Sequence, residues 1–501
     1  MTKAQIEKEE AALSVRLVPS VKSLKLVSDK FFPLADQCEF EVVVPDDCAE
    51  ETMKIVADHA RAFWNIRASV SHVSRPELAR DENPEGYAIK VSDRKVVISS
   101  ATIAGARYAT YTLRQLAESE RCVQTSNAFF FPCVEIADEP ALHFRGMHLC
   151  WFPRPETEAF EIERSIRMAA YYKFNYVVLE SWGVLRLHSH PEFGWADRPV
   201  EPGEIRRLVR LARNLGVTLI PQFNIFGHAS ASRSITGKHV LLDLHPEFAP
   251  LFEPDGWCWC LSNPETRKFL SDIICELDDL YDHPPFFHLG CDEARGAASC
   301  ALCRRADYPR LLLEHLRYFG DLLKERHARP LVWHDMFLDC HDKRWTGYIV
   351  CGNDDFGEML QKLPKDFIIC DWQYGYPHPN GNEPEWPTIR YFKKCGFDTL
   401  ACPWLDTGGT ISLGKTIRDI NGFGLLGTTW HKANGADFFR EFYFDALASW
   451  SPDTRCFESN LVDNMALFDS HVREVTHDMG CKRYEEFGTC RRQIHGPYYI
   501  F

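Results

Sequence analysis

The sequence predicts an α/β fold: a (β/α)8 TIM barrel over 139–501, preceded by a small α+β domain over 14–138 and a charged tail over 1–13. Two observations predict the barrel. From Phe144 onward the chain repeats an apolar run, a loop and a helical stretch, eight times over. Those runs are apolar along their length, as strands covered on both faces are, which implies a parallel sheet closed on itself. A third observation sets the first part of the chain apart: strands and helices alternate there with a hairpin, as in a sheet with helices on one face.

In order, residues 1–13 (Lys, Glu, Ala) read as a frayed helix or tail. Leu24–Val27 and Phe40–Val44 read as strands, the second stopped by Pro45. Glu50–Phe63 has helical spacing, with Met53, Val56, Ala57 and Ala60 on one side. Tyr87–Ser92 and Lys95–Ser99 form a hairpin turning at Asp93-Arg94, and Ala101–Ala117 is an amphipathic helix. Cys122–Glu139 reads as a connector. Barrel strands follow at Phe144–Cys150, Phe174–Glu180, Val217–Asn224, Phe286–Leu289, Pro330–Trp333, Phe367–Cys370, Thr399–Cys402 and Gly424–Gly427. Helices are expected at Glu158–Tyr172, Pro202–Leu215, Pro264–Tyr281 with Asn263 as N-cap, Leu311–His327 and Asp437–Trp450.

Composition narrows the function. A net charge of −14 argues against a nucleic-acid partner. The 13 Trp, 17 Tyr and 34 Phe suit a carbohydrate cleft, although a large core accounts for most of the Phe. Met1–Arg16 has no apolar signal core and the chain has no membrane-length apolar run, so a cytoplasmic protein away from membranes is expected. The 19 cysteines then read as reduced thiols. Cys300-Ala-Leu-Cys303 is half of a zinc motif; Cys258 and Cys260 lie upstream, but a second half at clear spacing is missing.

Active sites of parallel barrels sit at the C-terminal strand ends. The fourth strand ends in His288-Leu289-Gly290-Cys291-Asp292-Glu293. Neighbours along a strand point to opposite faces, but a pair just past the strand end has left that alternation and can reach one cleft. Close carboxylates push each other's pKa values apart, a route to an acid that keeps its proton near neutrality. The plain alternative is a helix N-terminus, which also favours Asp and Glu.

That segment resembles the His-x-Gly-Gly-Asp-Glu signature of glycoside hydrolase family 20, the β-N-acetylhexosaminidases, with Cys291 at the second Gly. Phe144-Arg145-Gly146 is similar to the family's Tyr/Phe-Arg-Gly, and Ile220–His228 to its Ile-Pro-Glu-Ile-Asp-x-Pro-Gly-His, with Asn224 where many members carry Asp. Glu180, ending the second strand, resembles an acidic position of the hexosaminidase D-like branch rather than the lysosomal type. Trp333-His334-Asp335, Trp372-Gln373-Tyr374, Pro403-Trp404-Leu405-Asp406 and Thr429-Trp430 end the last four strands, and residues 86–116 carry the similarity to the family's N-terminal domain.

The resemblance implies an exo-acting, retaining hydrolase of terminal β-linked GlcNAc or GalNAc, with a glycan or glycoconjugate as partner. It implies substrate-assisted catalysis, in which the sugar's 2-acetamido oxygen attacks the anomeric carbon. Glu293 would be the general acid/base and Asp292 the residue that orients the acetamide. Arg145 would fork onto sugar hydroxyls, against a structural ion pair as the alternative, and His228 would tune the cleft. Glu180, Asp335, Tyr374 and Asp406 would contact substrate, and Trp333, Trp372, Trp404 and Trp430 would wall the pocket. No metal or organic cofactor is needed for this chemistry.

Two departures keep other readings open. Trp404 stands where many members hold the acetamide oxygen with Tyr; its indole N–H, or Tyr374, would take that place. Trp430 is followed by His431-Lys432 where an acidic residue is usual. A related glycosidase for a substituted or anionic sugar, or a non-catalytic sugar-binding barrel, therefore stands beside the leading reading. A homo-oligomer is left open.

Overall fold

The computed structural model describes residues 2–75, 83–119, 129–151, 158–181, 183–196, 198–229, 240–374, 386–430, 435–454 and 461–479. It divides into two compact units. The described residues of one fall within Met1–His143, Tyr171–Lys173 and Ser449–Arg491, and those of the other within Phe144–Ala170 and Phe174–Ala448.

The first unit is a seven-stranded sheet. Its strands are β1 (Ser23–Leu34), β2 (Glu39–Val44), β3 (Ser69–Ser74), β4 (Tyr87–Val91), β5 (Lys95–Ser100), β6 (Glu118–Ser119) and β7 (Phe129–Asp138). The order is β1-β7-β4-β5-β2-β3, with β6 also on β7. Burial alternates along β4 and β5, so one face is packed. Helices α2 (Asp46–Trp64) and α3 (Ile103–Leu116) cover it, burying Val56, Ala60, Ala106, Ala109 and Leu113. Asn65, in the left-handed conformation, ends α2. The tail is an ordered helix, α1 (Lys3–Val15), started by a capping box between Thr2 and Gln5.

Two expectations fail in this unit. The stretch read as a connector contains β7, which pairs with both β1 and β4. Pro132 disguises it: it lies where the β1–β7 register breaks, a position that tolerates a residue without an N–H. The strand β3 was missed because Ser69–Ser74 is polar and lies at the sheet edge. The unit also holds a helix that was not expected, α12 (Leu461–His477), whose His471 Nδ1 meets the Tyr172 hydroxyl at 3.1 Å.

The second unit is the closed parallel barrel. Its strands are β8 (Phe144–Trp151), β9 (Tyr176–Ser181), β10 (Thr218–Gln222), β11 (Phe286–His288), β12 (Arg329–Trp333), β13 (Ile368–Asp371), β14 (Asp398–Ala401) and β15 (Gly424–Thr428). Phe144, Val178, Ile220, Phe286, Leu331, Ile368, Leu400 and Leu426, one from each strand, pack together inside it. That layer plugs the barrel from below and leaves polar chemistry to the residues above. The intervening helices are α4 (Ala159–Tyr171), α5 (Pro202–Leu215), α6 (Pro264–Leu280), α7 (Tyr308–Glu325), α8 (Asp354–Lys362), α9 (Pro387–Lys394), α10 (Thr407–Asp419) and α11 (Gly435–Trp450). α5 starts with Pro202, buries Ile205, Leu208, Val209 and Ala212, and stops at Gly216 with φ +82°. Asn263 caps α6 by accepting from the Glu265 N–H. No described helix is long and apolar enough to cross a membrane.

Candidate active site

β11 is only three residues long, and its exit carries the site. Gly290 and Cys291 both have positive φ, +68° and +82°. A Cβ on Gly290 would lie 1.8 Å from Asn224 Oδ1, so glycine is required there by contact as well as by conformation. Cys291 adopts the left-handed backbone at a cost of order 1–2 kcal/mol. Its side chain is 1 % exposed, and burial pushes its thiol well up. A reactive cysteine beside the pair is thereby excluded. Glu293 follows with φ +45°. Strain of this kind collects at functional sites.

The two carboxylates have different surroundings. Asp292 is buried, and its Oδ1 has no hydrogen-bond partner among the described residues. Glu293 keeps about a third of its side chain exposed. His228, itself at φ +53°, lies between them, with Nε2 3.2 Å from Asp292 Oδ2 and 3.4 Å from Glu293 Oε2. Burial pulls the His228 pKa down, but the two carboxylates outweigh it and raise it to about 10. The resulting imidazolium lowers the Glu293 pKa, against burial and with help from Arg295, whose guanidinium is 3.2 Å away. The upward shift expected from mutual repulsion is therefore not found at Glu293. The raised carboxyl is Asp335, pushed up to about 7 by burial and then by Asp292.

The Glu293 backbone is clamped twice. Its N–H donates to Asp335 Oδ2 at 2.9 Å, and its carbonyl accepts from Trp257 Nε1 at 2.8 Å. Asp335 Oδ1 accepts from Trp372 Nε1 at 3.1 Å. Trp257 also lies against the His228 ring, centroids 4.4 Å apart. Asp335 is fully buried and is spent on these bonds, so its role here is to hold Glu293 rather than to touch a sugar.

Aromatic rings line the centre. The Trp333 ring is fully buried, 4.2 Å from His288 and 5.3 Å from Trp430 between centroids. Trp372 lies 6.2 Å from Trp430 and 5.5 Å from Tyr374, and Tyr374 lies 5.3 Å from Trp404. The Tyr374 hydroxyl accepts from Trp430 Nε1 at 2.5 Å, and the Asp292 charge reaches it closely enough to raise its pKa, after burial. The Nε1 of Trp404 is buried and has no partner among the described residues. Asp292 Oδ1 and Trp404 Nε1 are thus an acceptor and a donor with no hydrogen bond among the described residues, the two kinds of group an amide needs.

Deeper in the barrel, Glu180 accepts from Asn224 Nδ2 at 2.9 Å, and His148 Nε2 meets Gln222 Oε1 at 3.0 Å and Glu180 Oε2 at 3.5 Å. Glu180, Gln222, Asn224 and His228 line one small cleft with Phe193 and Trp195. His148 and Gln222 went unnoticed in the sequence, although the period of two from Phe144 through Gly146 to His148 places His148 inside the barrel. Nothing local marks Trp257, which reaches Glu293 across 36 residues.

Arg145 and Asp406, expected at the sugar, have other surroundings in the fold. Arg145 pairs in register with Leu425, next to Leu426 and Phe144, which both face the barrel interior. Alternation therefore sends Arg145 outward, to a 1 % exposed position on the helix side. Asp406 caps α10, accepting from the Gly409 N–H at 2.8 Å. His431 and Lys432 lie outside the described residues.

Residues 14–139 match the description "Glycosyl hydrolase family 20, domain 2", and residues 195–384 match "Glycosyl hydrolase family 20, catalytic domain". The chain belongs to glycoside hydrolase family 20. Among curated family 20 proteins it is 24 % identical over 376 residues to a β-hexosaminidase of Porphyromonas gingivalis, covering 67 % of this chain and 47 % of that one. It is 25 % identical over 250 residues to a β-N-acetylhexosaminidase of Cellulomonas fimi, covering 44 % and 47 %. The chain thus spans about half the length of these relatives. The fold is that of the exo β-N-acetylglucosaminidase of Vibrio harveyi, solved with N-acetylglucosamine. The two superpose with a TM-score of 0.67 at 18 % identity, over 93 % of this chain and 78 % of that one. A β-N-acetylhexosaminidase of Bacteroides fragilis gives the same score at 16 % identity, over 93 % and 98 %.

Proposed function

We propose that the chain is an exo-acting, retaining β-N-acetylhexosaminidase that releases terminal β-linked GlcNAc or GalNAc by substrate-assisted catalysis. One observation carries the reading. Asp292 offers a buried carboxylate oxygen with no hydrogen bond among the described residues, while the adjacent Glu293 keeps its side chain partly open. The first suits an acetamide N–H; the second suits proton exchange with a leaving group and then with water.

In the first step the acetamide oxygen bonds to the anomeric carbon as the glycosidic C–O bond breaks, and Glu293 gives its proton to the departing oxygen. Asp292 accepts the acetamide N–H and balances the positive oxazolinium. In the second step water adds to the anomeric carbon, Glu293 takes its proton, and the acetamide is restored. A buried Trp404 Nε1 with no hydrogen bond among the described residues supports Trp404 as the donor to the acetamide oxygen, with Tyr374 as the alternative. Glu180, at an acidic position like that of the hexosaminidase D-like branch, supports a reading nearer that branch than the lysosomal type.

Release of nitrophenol from 4-nitrophenyl β-GlcNAc or β-GalNAc, blocked by an oxazoline-mimicking thiazoline and lost in Glu293→Gln, supports the proposal. Turnover that the thiazoline does not touch overturns the substrate-assisted step. Silence on both aryl sugars, with sugar binding retained, overturns the hexosaminidase reading.

A further inference from the structure

The half-motif Cys300-Ala-Leu-Cys303 finds its second half in space. The chain between Leu251 and Cys260 turns back on itself, with Phe252 bridging Trp259 and Glu253 N–H bonded to Cys258 O at 2.8 Å. This brings Glu253 and Cys260 to the loop that follows Glu293. One donor atom from each of Glu253, Cys260, Cys300 and Cys303 lies within 4.8 Å of the other three. Cys260 Sγ is 3.6 Å from Cys300 Sγ and 3.7 Å from Cys303 Sγ. Four ligands at a Zn–S bond of about 2.3 Å in a tetrahedron stand about 3.8 Å apart. A disulfide would need about 2.05 Å.

The surroundings are those of a metal centre rather than of packed thiols. Glu253, Cys260 and Cys303 are 1 %, 3 % and 0 % exposed. Glu253 Oε2 is fixed by the Ser299 N–H at 3.0 Å, the Ser299 hydroxyl at 3.2 Å and the Cys300 N–H at 2.5 Å. Its Oε1 is buried and makes no hydrogen bond among the described residues, a cost that a bound cation would offset. The Cys303 N–H donates to Cys300 Sγ at 3.2 Å, a bond that stabilises a thiolate and orients it as a ligand.

We infer that Glu253, Cys260, Cys300 and Cys303 form a closed tetrahedral zinc site that ties the loop following Glu293 to the turn carrying Trp257. Three thiolates select a soft, tetrahedral cation, and four protein ligands leave no open position, so the site is structural. Its two halves reach Glu293 from both sides: Cys300 and Cys303 through the chain, and the Glu253–Cys260 turn through the bond from Trp257 Nε1 to Glu293 O. The sequence hides the site because its second half pairs a carboxylate with one cysteine in place of a second Cys-x-x-Cys.

Metal analysis of the untagged full chain, produced with zinc in the medium, tests this. About one zinc per chain is expected, released by a mercurial that titrates the thiols. Cobalt substitution should give the intense visible bands of tetrahedral cobalt and a sulfur-to-cobalt charge-transfer band. Cys300→Ser/Cys303→Ser should lower the zinc to less than about a tenth of an equivalent, and Cys38→Ser, in the other unit, should not. Should the double variant fail to fold, the wild-type stoichiometry and cobalt spectrum still decide. A wild-type chain without metal, a Cys260–Cys300 disulfide, or zinc that persists in a folded double variant overturns the inference.

Discussion

Asp335 Oδ2 accepts the backbone N–H of Glu293 at 2.9 Å from a fully buried position. The contact lies on the main chain of the residue proposed to move the proton. It sets where the Glu293 side chain begins, and the second oxygen of Asp335 is anchored to Trp372. Asp335→Asn keeps the shape but has one acceptor oxygen for two donors. A fall in kcat of about 10–100-fold with KM changed little is expected, because a small displacement of a reacting group is costly. Steady-state kinetics beside a thermal melt check it; an equal loss in KM points to a sugar contact instead.

His228 carries a charge that holds the Glu293 pKa below the ordinary carboxylate value. Removing a cation favours the protonated form of a neighbouring carboxyl, so its pKa rises. In His228→Gln the alkaline limb of the kcat/KM profile, which reports the acid in the free enzyme, should move to higher pH. An unmoved limb, or one moved to lower pH, contradicts this arrangement.

Trp404 Nε1 is a buried donor with no hydrogen bond among the described residues. If it meets the acetamide oxygen as charge develops, Trp404→Phe should lower kcat by about 10²–10³-fold, the usual loss for one such donor. The melting temperature should hold, since the phenyl ring fills most of the space. Tyr374→Phe, assayed in parallel, separates the two candidate donors: the larger loss identifies the one in use.

In the N-terminal unit, Asp138 accepts from Tyr87 at 2.6 Å, from Trp450 Nε1 at 3.0 Å and from the buried Lys173 at 3.2 Å. Asp138→Ala strands the lysine charge, and breaking a buried pair on one side costs about 3–5 kcal/mol. Urea unfolding should show a loss of that size. Lys173→Met together with Asp138→Asn, which removes both charges, should recover part of it.

Much of this was legible in the chain. The eight barrel strands follow from uniformly apolar runs, and the ends of α5 and α6 from Pro202, Gly216 and Asn263, because propensity and burial act over a few residues. The adjacency of Asp292 and Glu293 after a strand was likewise local. Tertiary structure decided what depends on register and on charges brought together through space. Strand pairing turned Arg145 outward, although the motif around it pointed to the sugar. Closure of the barrel set Asp335 under Glu293 and His228 between two carboxylates, and so moved the raised pKa from Glu293 to Asp335. It also joined Glu253 and Cys260 to Cys300 and Cys303 across some 40 residues. Sequence carries the residue types; only the closed sheet fixes the few ångströms between them, and electrostatic and coordinate bonds depend on those distances.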